Sequence, residues 1–117
     1  MASRPSVEDM VNYAIELMDS GDSHDGRKIL EKLKKKHGRH GHVCYGLGVI
    51  AAVEGKHDEA IHFLRNATQL VPDFVEAYYN LGVAYKNQLN VSEMIKAFRQ
   101  VIKIAEQAPV CLIRHKI

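Results

Sequence analysis

Apolar residues along this chain recur at the three- and four-residue spacing of an amphipathic helix. Ile29, Leu30 and Leu33 form one such set, Ile61, Leu64, Ala67 and Leu70 a second, and Phe98, Val101 and Ile102 a third, each with polar residues between. No run alternates polar with β-branched residues for long enough to make a strand, and no Asn-Gly or Asp-Gly pair joins two such runs. The pattern predicts an all-α protein.

Punctuation divides the pattern into six helices. Ser6 is placed to cap a helix over 7–19, and Gly21 with Asp22 separates it from a second that runs to about Lys36, before Gly38 and Gly41. Helices over 42–54 and 57–70 follow, divided at Gly55 and closed by Pro72, which has no N–H to continue a helix. Asp73 with Glu76, and Asn90 with Glu93, have capping-box spacing and predict helices over 74–87 and 91–106.

The pairs repeat. A shift of 34 residues lays Tyr45, Leu47, Gly48 and Val49 on Tyr79, Leu81, Gly82 and Val83, and Glu59, Ile61 and Arg65 on Glu93, Ile95 and Arg99. A helix-turn-helix unit of about 34 residues resembles the tetratricopeptide repeat. The middle unit carries the signature most fully, in Leu47-Gly48, Gly55, Ala60, Leu64, Ala67 and Pro72. The third keeps Leu81-Gly82, Tyr85 and Phe98, but has Leu89 for the turn glycine and Met94 and Val101 for small residues. In the first, Tyr13-Ala14 stands for Leu-Gly, and Gly21, Asp22, Gly26 and Leu30 hold the turn and packing positions. The resemblance implies one domain over 1–117, with repeats at about 7–40, 41–74 and 75–106 and a tail at 107–117, stacked as a short right-handed superhelix. Small residues let helix axes approach and large ones fill the spaces, so Leu47, Gly48, Ala60, Leu64, Leu81 and Phe98 are expected between helices.

The resemblance also implies a concave groove lined by the first helix of each pair. Its groove-facing places hold Glu8, Val11, Ile15 and Met18 in the first unit, His42, Tyr45, Val49 and Ala52 in the second, and Glu76, Tyr79, Val83 and Lys86 in the third. The surface so described is mostly apolar, with two tyrosines one repeat apart, and Asn80 beside them as a hydrogen-bond partner for a ligand backbone. Family members that grip chaperone-tail carboxylates use Lys, Asn and Arg where this chain has Val11, Ile15, Gly46, Glu76 and Asn80. With no cation at those places, that grip is not expected.

Composition and charge narrow the remaining options. In 117 residues, 46% are hydrophobic and 26% charged, which suits a globular fold. The formal charge of +2 makes any basic surface local, and the basic residues gather in Arg27, Lys28, Lys32, Lys34, Lys35, Lys36 and Arg39. No aromatic residue interleaves with them, so specific nucleic-acid readout is not expected and salt-sensitive contact with an anionic surface is the most they imply. Cys44 and Cys111 are far apart, no leader precedes the first helix, and the longest apolar stretch is Val49 to Val53; these features read as a reduced, cytoplasmic chain without a membrane span. His37, His40 and His42 near Cys44 lack convincing zinc spacing, so neither metal nor cofactor is expected. No phosphate loop, nucleophile elbow or zinc-protease motif is present, and the chain reads as a non-enzyme.

The expected function is therefore protein interaction, with a peptide or partner segment of unknown identity held in the groove. Two alternatives stand beside it. The last helix carries Ile95, Phe98, Val101, Ile102 and Ile104, more than one inner face can cover, and the tail with Pro109 is too short for a full capping helix; this points to a scaffold that self-associates through its last helix or is a fragment of a longer array. The other is nucleic-acid or anionic-surface binding through the Lys-rich helix.

Overall fold

The computed structural model describes residues 4–107. Its first helix, α1 (Val7–Asp19), opens on a complete capping box: the Asp9 N–H donates to Ser6 Oγ at 3.0 Å while the Ser6 N–H donates to the Asp9 carboxylate at 3.3 Å. The others are α2 (Ser23–His37), α3 (Gly41–Val53), α4 (His57–Leu70), α5 (Val75–Asn87) and α6 (Val91–Glu106), and no strand occurs among the described residues. Every predicted helix is present, with ends within a residue of the expected ones.

Within each pair the turn has one construction. The N–H groups of Asp22, Lys56 and Asn90 donate back to the carbonyls of Leu17, Ala51 and Tyr85, and those of Gly21, Gly55 and Leu89 to Met18, Ala52 and Lys86. This double closure requires a left-handed residue after the helix, with φ of 97° at Gly21, 78° at Gly55 and 61° at Leu89. The third turn keeps its shape although a leucine occupies the glycine's place.

The remaining caps depart from expectation in part. Asp73 and Glu76 form no capping box; Phe74 is the N-cap residue of α5 and supplies no side-chain bond. Its ring is buried against His42 and Tyr45, which commits the connection between repeats to packing rather than capping. Asn90 forms half a box, accepting from the Glu93 N–H at 3.3 Å, while the Glu93 carboxylate turns to Lys96 at 3.2 Å.

Helices pack in sequence order, α1 on α2, α3 on α4 and α5 on α6, with α2 on α3 and α4 on α5 between pairs. The first helices also touch one another, α1 with α3 and α3 with α5, whereas the second helices do not. That arrangement curves the stack and puts α1, α3 and α5 on its inner side.

Close approach rests on glycine within each pair. A Cβ on Gly26 would lie 2.6 Å from the Ala14 carbonyl oxygen, one on Gly48 2.7 Å from Leu64 Cγ, and one on Gly82 2.5 Å from the Phe98 ring. Leu47, Ala60, Leu64 and Leu81 are buried as expected, but Phe98 is only half-buried, because no further helix covers its outer edge in the described chain.

The two ends of the stack differ. In α3, Val43, Gly46, Leu47 and Ile50 are buried against the first repeat, and in α5 Ala77, Leu81 and Ala84 are buried in the same way. The corresponding places of α1 hold Asp9, Asn12, Tyr13 and Glu16, all exposed. At the other end, Tyr79, Ile95 and Ile102 are exposed.

Candidate functional site

Glu8 of α1, His42 and Tyr45 of α3, and Phe74 at the entry to α5 form a line across the inner side. His42 Nδ1 lies 3.6 Å from the Glu8 carboxylate, and the His42 ring is 4.7 Å from that of Phe74. The Tyr45 ring also lies 4.9 Å from that of Phe74, and the Tyr45 hydroxyl accepts a hydrogen bond from the Asn80 amide at 3.2 Å. Asn80 also donates to the Glu76 carbonyl at 2.9 Å. Burial pushes the Tyr45 phenol above its ordinary range, and the negative charge of Glu76 adds to the shift.

The structure sorts the expected groove residues into three groups. Val11 and Met18 are core residues, which corrects their placement on the groove. Val11 lies under Gly46 of the next repeat and is 0% exposed, and Met18 packs against Gly26 of its own pair. Ile15, His42, Tyr45, Val49, Ala52, Asn80 and Val83 are half-buried, and Glu8, Glu76, Tyr79 and Lys86 are exposed. Tyr45 and Tyr79 differ for a physical reason. The fifth place of each unit lies where the following repeat stacks, so Tyr45 is held by Phe74 and Asn80, while Tyr79 has only Phe98 beside it, ring to ring at 5.9 Å, and is 55% exposed. Phe74, which organises this surface, was not among the expected residues. Its signal was weak, a lone aromatic in a connection between helices.

Charge along α5 is polarised, with Glu76 in its first turn and Lys86 in its last. An apolar middle with an acid at one end and a base at the other gives a bound segment a preferred direction.

The other candidate clusters resolve into separate roles. Arg27 donates to Glu54 through Nε at 2.9 Å and through its terminal nitrogen, and pairs with Glu31 at 3.2 Å, so it ties α2 to the end of α3 and is not part of a free basic patch. The bond from Arg27 holds the Glu54 carboxyl below the usual carboxylate range, and raises the guanidinium in turn. Lys34 Nζ lies over the Phe63 ring at 5.5 Å. His40 accepts the His42 N–H through Nδ1, and Cys44 is buried, its thiol pushed up by desolvation. No three His, Cys, Asp or Glu side chains converge as metal ligands among the described residues, and no helix there is long and apolar enough to cross a membrane. Cys111, His115 and Pro109 lie outside the described residues.

Among the described residues, six helices in three pairs, each pair closed by the same two backbone bonds, curve about α1, α3 and α5 and define an all-α helical repeat fold. A profile described as TPR repeat matches residues 53–88, and a second, described as tetratricopeptide repeat, matches residues 75–107. Over residues 53–107 the chain carries tetratricopeptide repeats. Among solved structures it is similar to MamA, with 26% identity and a TM-score of 0.74 over 85% of this chain and 58% of that one. The fold is also that of the second TPR of Spaghetti (RPAP3), a structure bound to the HSP90 peptide SRMEEVD, with 14% identity and a TM-score of 0.73 over 81% of this chain and 88% of that one. A mutant of the Thermobaculum terrenum O-GlcNAc transferase shares the fold over 89% of this chain but 20% of its own, at 21% identity and a TM-score of 0.77. The chain thus spans little more than half the length of the MamA protein it matches. No curated protein matches the sequence.

Proposed function

We propose that this protein is an interaction module whose inner face, on α3 and α5, holds an extended peptide segment of a partner protein. The observation that carries the reading is Tyr79: a large aromatic side chain, 55% exposed on the inner helix row and flanked by Val83, with Glu76 and Lys86 at the two ends. Aromatic residues of this kind are enriched among binding hot spots, because they bury large area with few rotatable bonds. The peptide-bound RPAP3 repeat supports the reading at the level of the fold, since stacked repeats of this shape can hold a peptide. A matching segment has apolar anchors for Tyr79 and Val83 and a basic residue toward Glu76.

The test is capture of partners from the source cell by the full chain, followed by titration of the captured segment. Tyr79→Ala is expected to weaken binding by about 2 kcal/mol, while charge reversal at Lys34, Lys35 and Lys36 on α2 leaves it nearly unchanged. Binding that survives Tyr79→Ala and collapses on reversing the lysines would place the interaction on the outer face and refute the reading.

A second reading is carried by the open end of the stack. Tyr79, Ile95 and Ile102 are exposed there together, the last at 58%, as expected of a surface that another chain covers. Self-association through α6 predicts an apparent mass that rises with concentration in sedimentation and falls back with Ile95→Glu and Ile102→Glu.

A further inference from the structure

The opposite end of the stack, separate from the inner face, carries a surface of different chemistry. Val7 and Met10 of α1 line a cleft together with Leu33 of α2. Arg4, Lys32, Lys35 and Lys36 stand around it. The walls are apolar: Leu33 is buried, Val7 half-buried, and Met10 open to solvent. None of the four cations is paired with an acid among the described residues. The acids at the start of α1 are engaged elsewhere, Glu8 with His42 and Asp9 with the Ser6 N–H.

We propose that this cleft binds an acidic peptide segment bearing a large apolar side chain. The apolar group fills the space between Val7, Met10 and Leu33, and flanking Asp or Glu residues meet the surrounding cations. Each half of the surface limits the alternatives. A nucleic acid satisfies the cations but leaves the apolar walls of Val7, Met10 and Leu33 unused, and the lining offers a base only the His37 imidazole as a ring to stack on. An anionic membrane satisfies the charge, but apolar insertion into lipid calls for a protruding ridge, whereas these apolar groups line a concavity. A flexible methionine at the rim suits an apolar side chain of variable shape. The site lies on α1 and α2 and shares no residue with the α3 and α5 surface that carries Tyr79 and Val83.

Fluorescence anisotropy of the full chain tests it, with a short labelled peptide in which Glu residues flank a Leu-Phe pair as the probe. Saturable binding that weakens as salt rises is expected. Lys32→Glu with Lys36→Glu weakens it by about tenfold or more, equivalent to about 1.4 kcal/mol, and Met10→Asp does the same, with helical circular dichroism unchanged in both. Replacing Leu-Phe by Ser-Ser in the peptide weakens binding similarly, and Tyr79→Ala leaves it unaltered. The proposal is overturned if the Ser-Ser peptide binds equally well, or if the lysine and Met10 variants bind as the parent does. It is equally overturned if a single-stranded oligonucleotide or a phosphatidylserine vesicle displaces the peptide at lower charge concentration, which would make the surface a general polyanion site. Loss of binding on Tyr79→Ala would move the peptide to the inner face and likewise end the proposal.

Discussion

Tyr45 and Asn80 join neighbouring repeats directly: the Asn80 side-chain amide donates to the Tyr45 hydroxyl at 3.2 Å while its other donor is spent on the Glu76 carbonyl of its own helix. The bond is part-buried, and Phe74 packs on the same tyrosine ring. Tyr45 is therefore a fastening between α3 and α5 as well as part of the inner surface.

Tyr45→Phe should remove the hydrogen bond and cost about 1 kcal/mol of stability. Tyr45→Ala should cost more, about 2 kcal/mol or above, since the ring contact is lost too. Tyr79→Ala should stay within about 0.5 kcal/mol. Urea denaturation midpoints compare the three, and equal losses at both tyrosines would contradict the difference in their surroundings.

Leu89→Gly should raise stability by about 1 kcal/mol, because a leucine held at φ 61° bears the left-handed penalty that glycine escapes. The side chain is 86% exposed, so its removal leaves no cavity. Gly55→Leu should lower stability by a similar amount at the equivalent turn. A melting temperature lowered by Leu89→Gly would show that the leucine makes a contact outweighing its backbone strain.

Gly26→Ala should destabilise by about 1 to 3 kcal/mol although alanine is the better helix former, because the added methyl meets the Ala14 backbone oxygen at 2.6 Å. Gly82→Ala should be milder, since what it meets is the half-exposed Phe98 ring, which can swing outward. Gly82→Leu exceeds what that movement can absorb. Thermal unfolding of the three variants gives the order.

Glu54 ties the first two repeats through Arg27, and its folded carboxyl titrates below the unfolded value. Its contribution is accordingly complete above about pH 4.3 and is lost as pH falls through the lower folded value. Both side chains are partly solvated, which limits the contribution to about 1 kcal/mol or less. Glu54→Gln should lower the urea midpoint at pH 7, and by progressively less as pH falls below about 4.3.

Helix positions were legible because apolar spacing, the turn residues and the 34-residue shift all describe local or periodic constraints. The surface was less so. Val11, Tyr45 and Tyr79 share one place in the unit, yet the first is buried, the second half-buried and the third exposed, because what covers each is the repeat that follows. A register cannot supply that, since it treats all units alike. Phe74 escaped for a related reason: it sits between helices, where no periodic slot marks it, and its partners His42 and Tyr45 lie a repeat earlier. The Asp73 cap failed because the adjoining aromatic decides where the chain enters α5.

The contrast between the two ends gives the stack a direction of growth. A unit placed after α6 finds Ile95, Phe98 and Ile102 ready to receive aliphatic residues of the kind that α3 and α5 present backwards. A unit placed before α1 would instead meet Asp9, Asn12, Tyr13 and Glu16, and its facing side must then supply counter-charges for two carboxylates. For anyone fusing this protein into a longer solenoid, the apolar junction among the described residues lies on α6, and an upstream junction calls for a unit with a basic facing side.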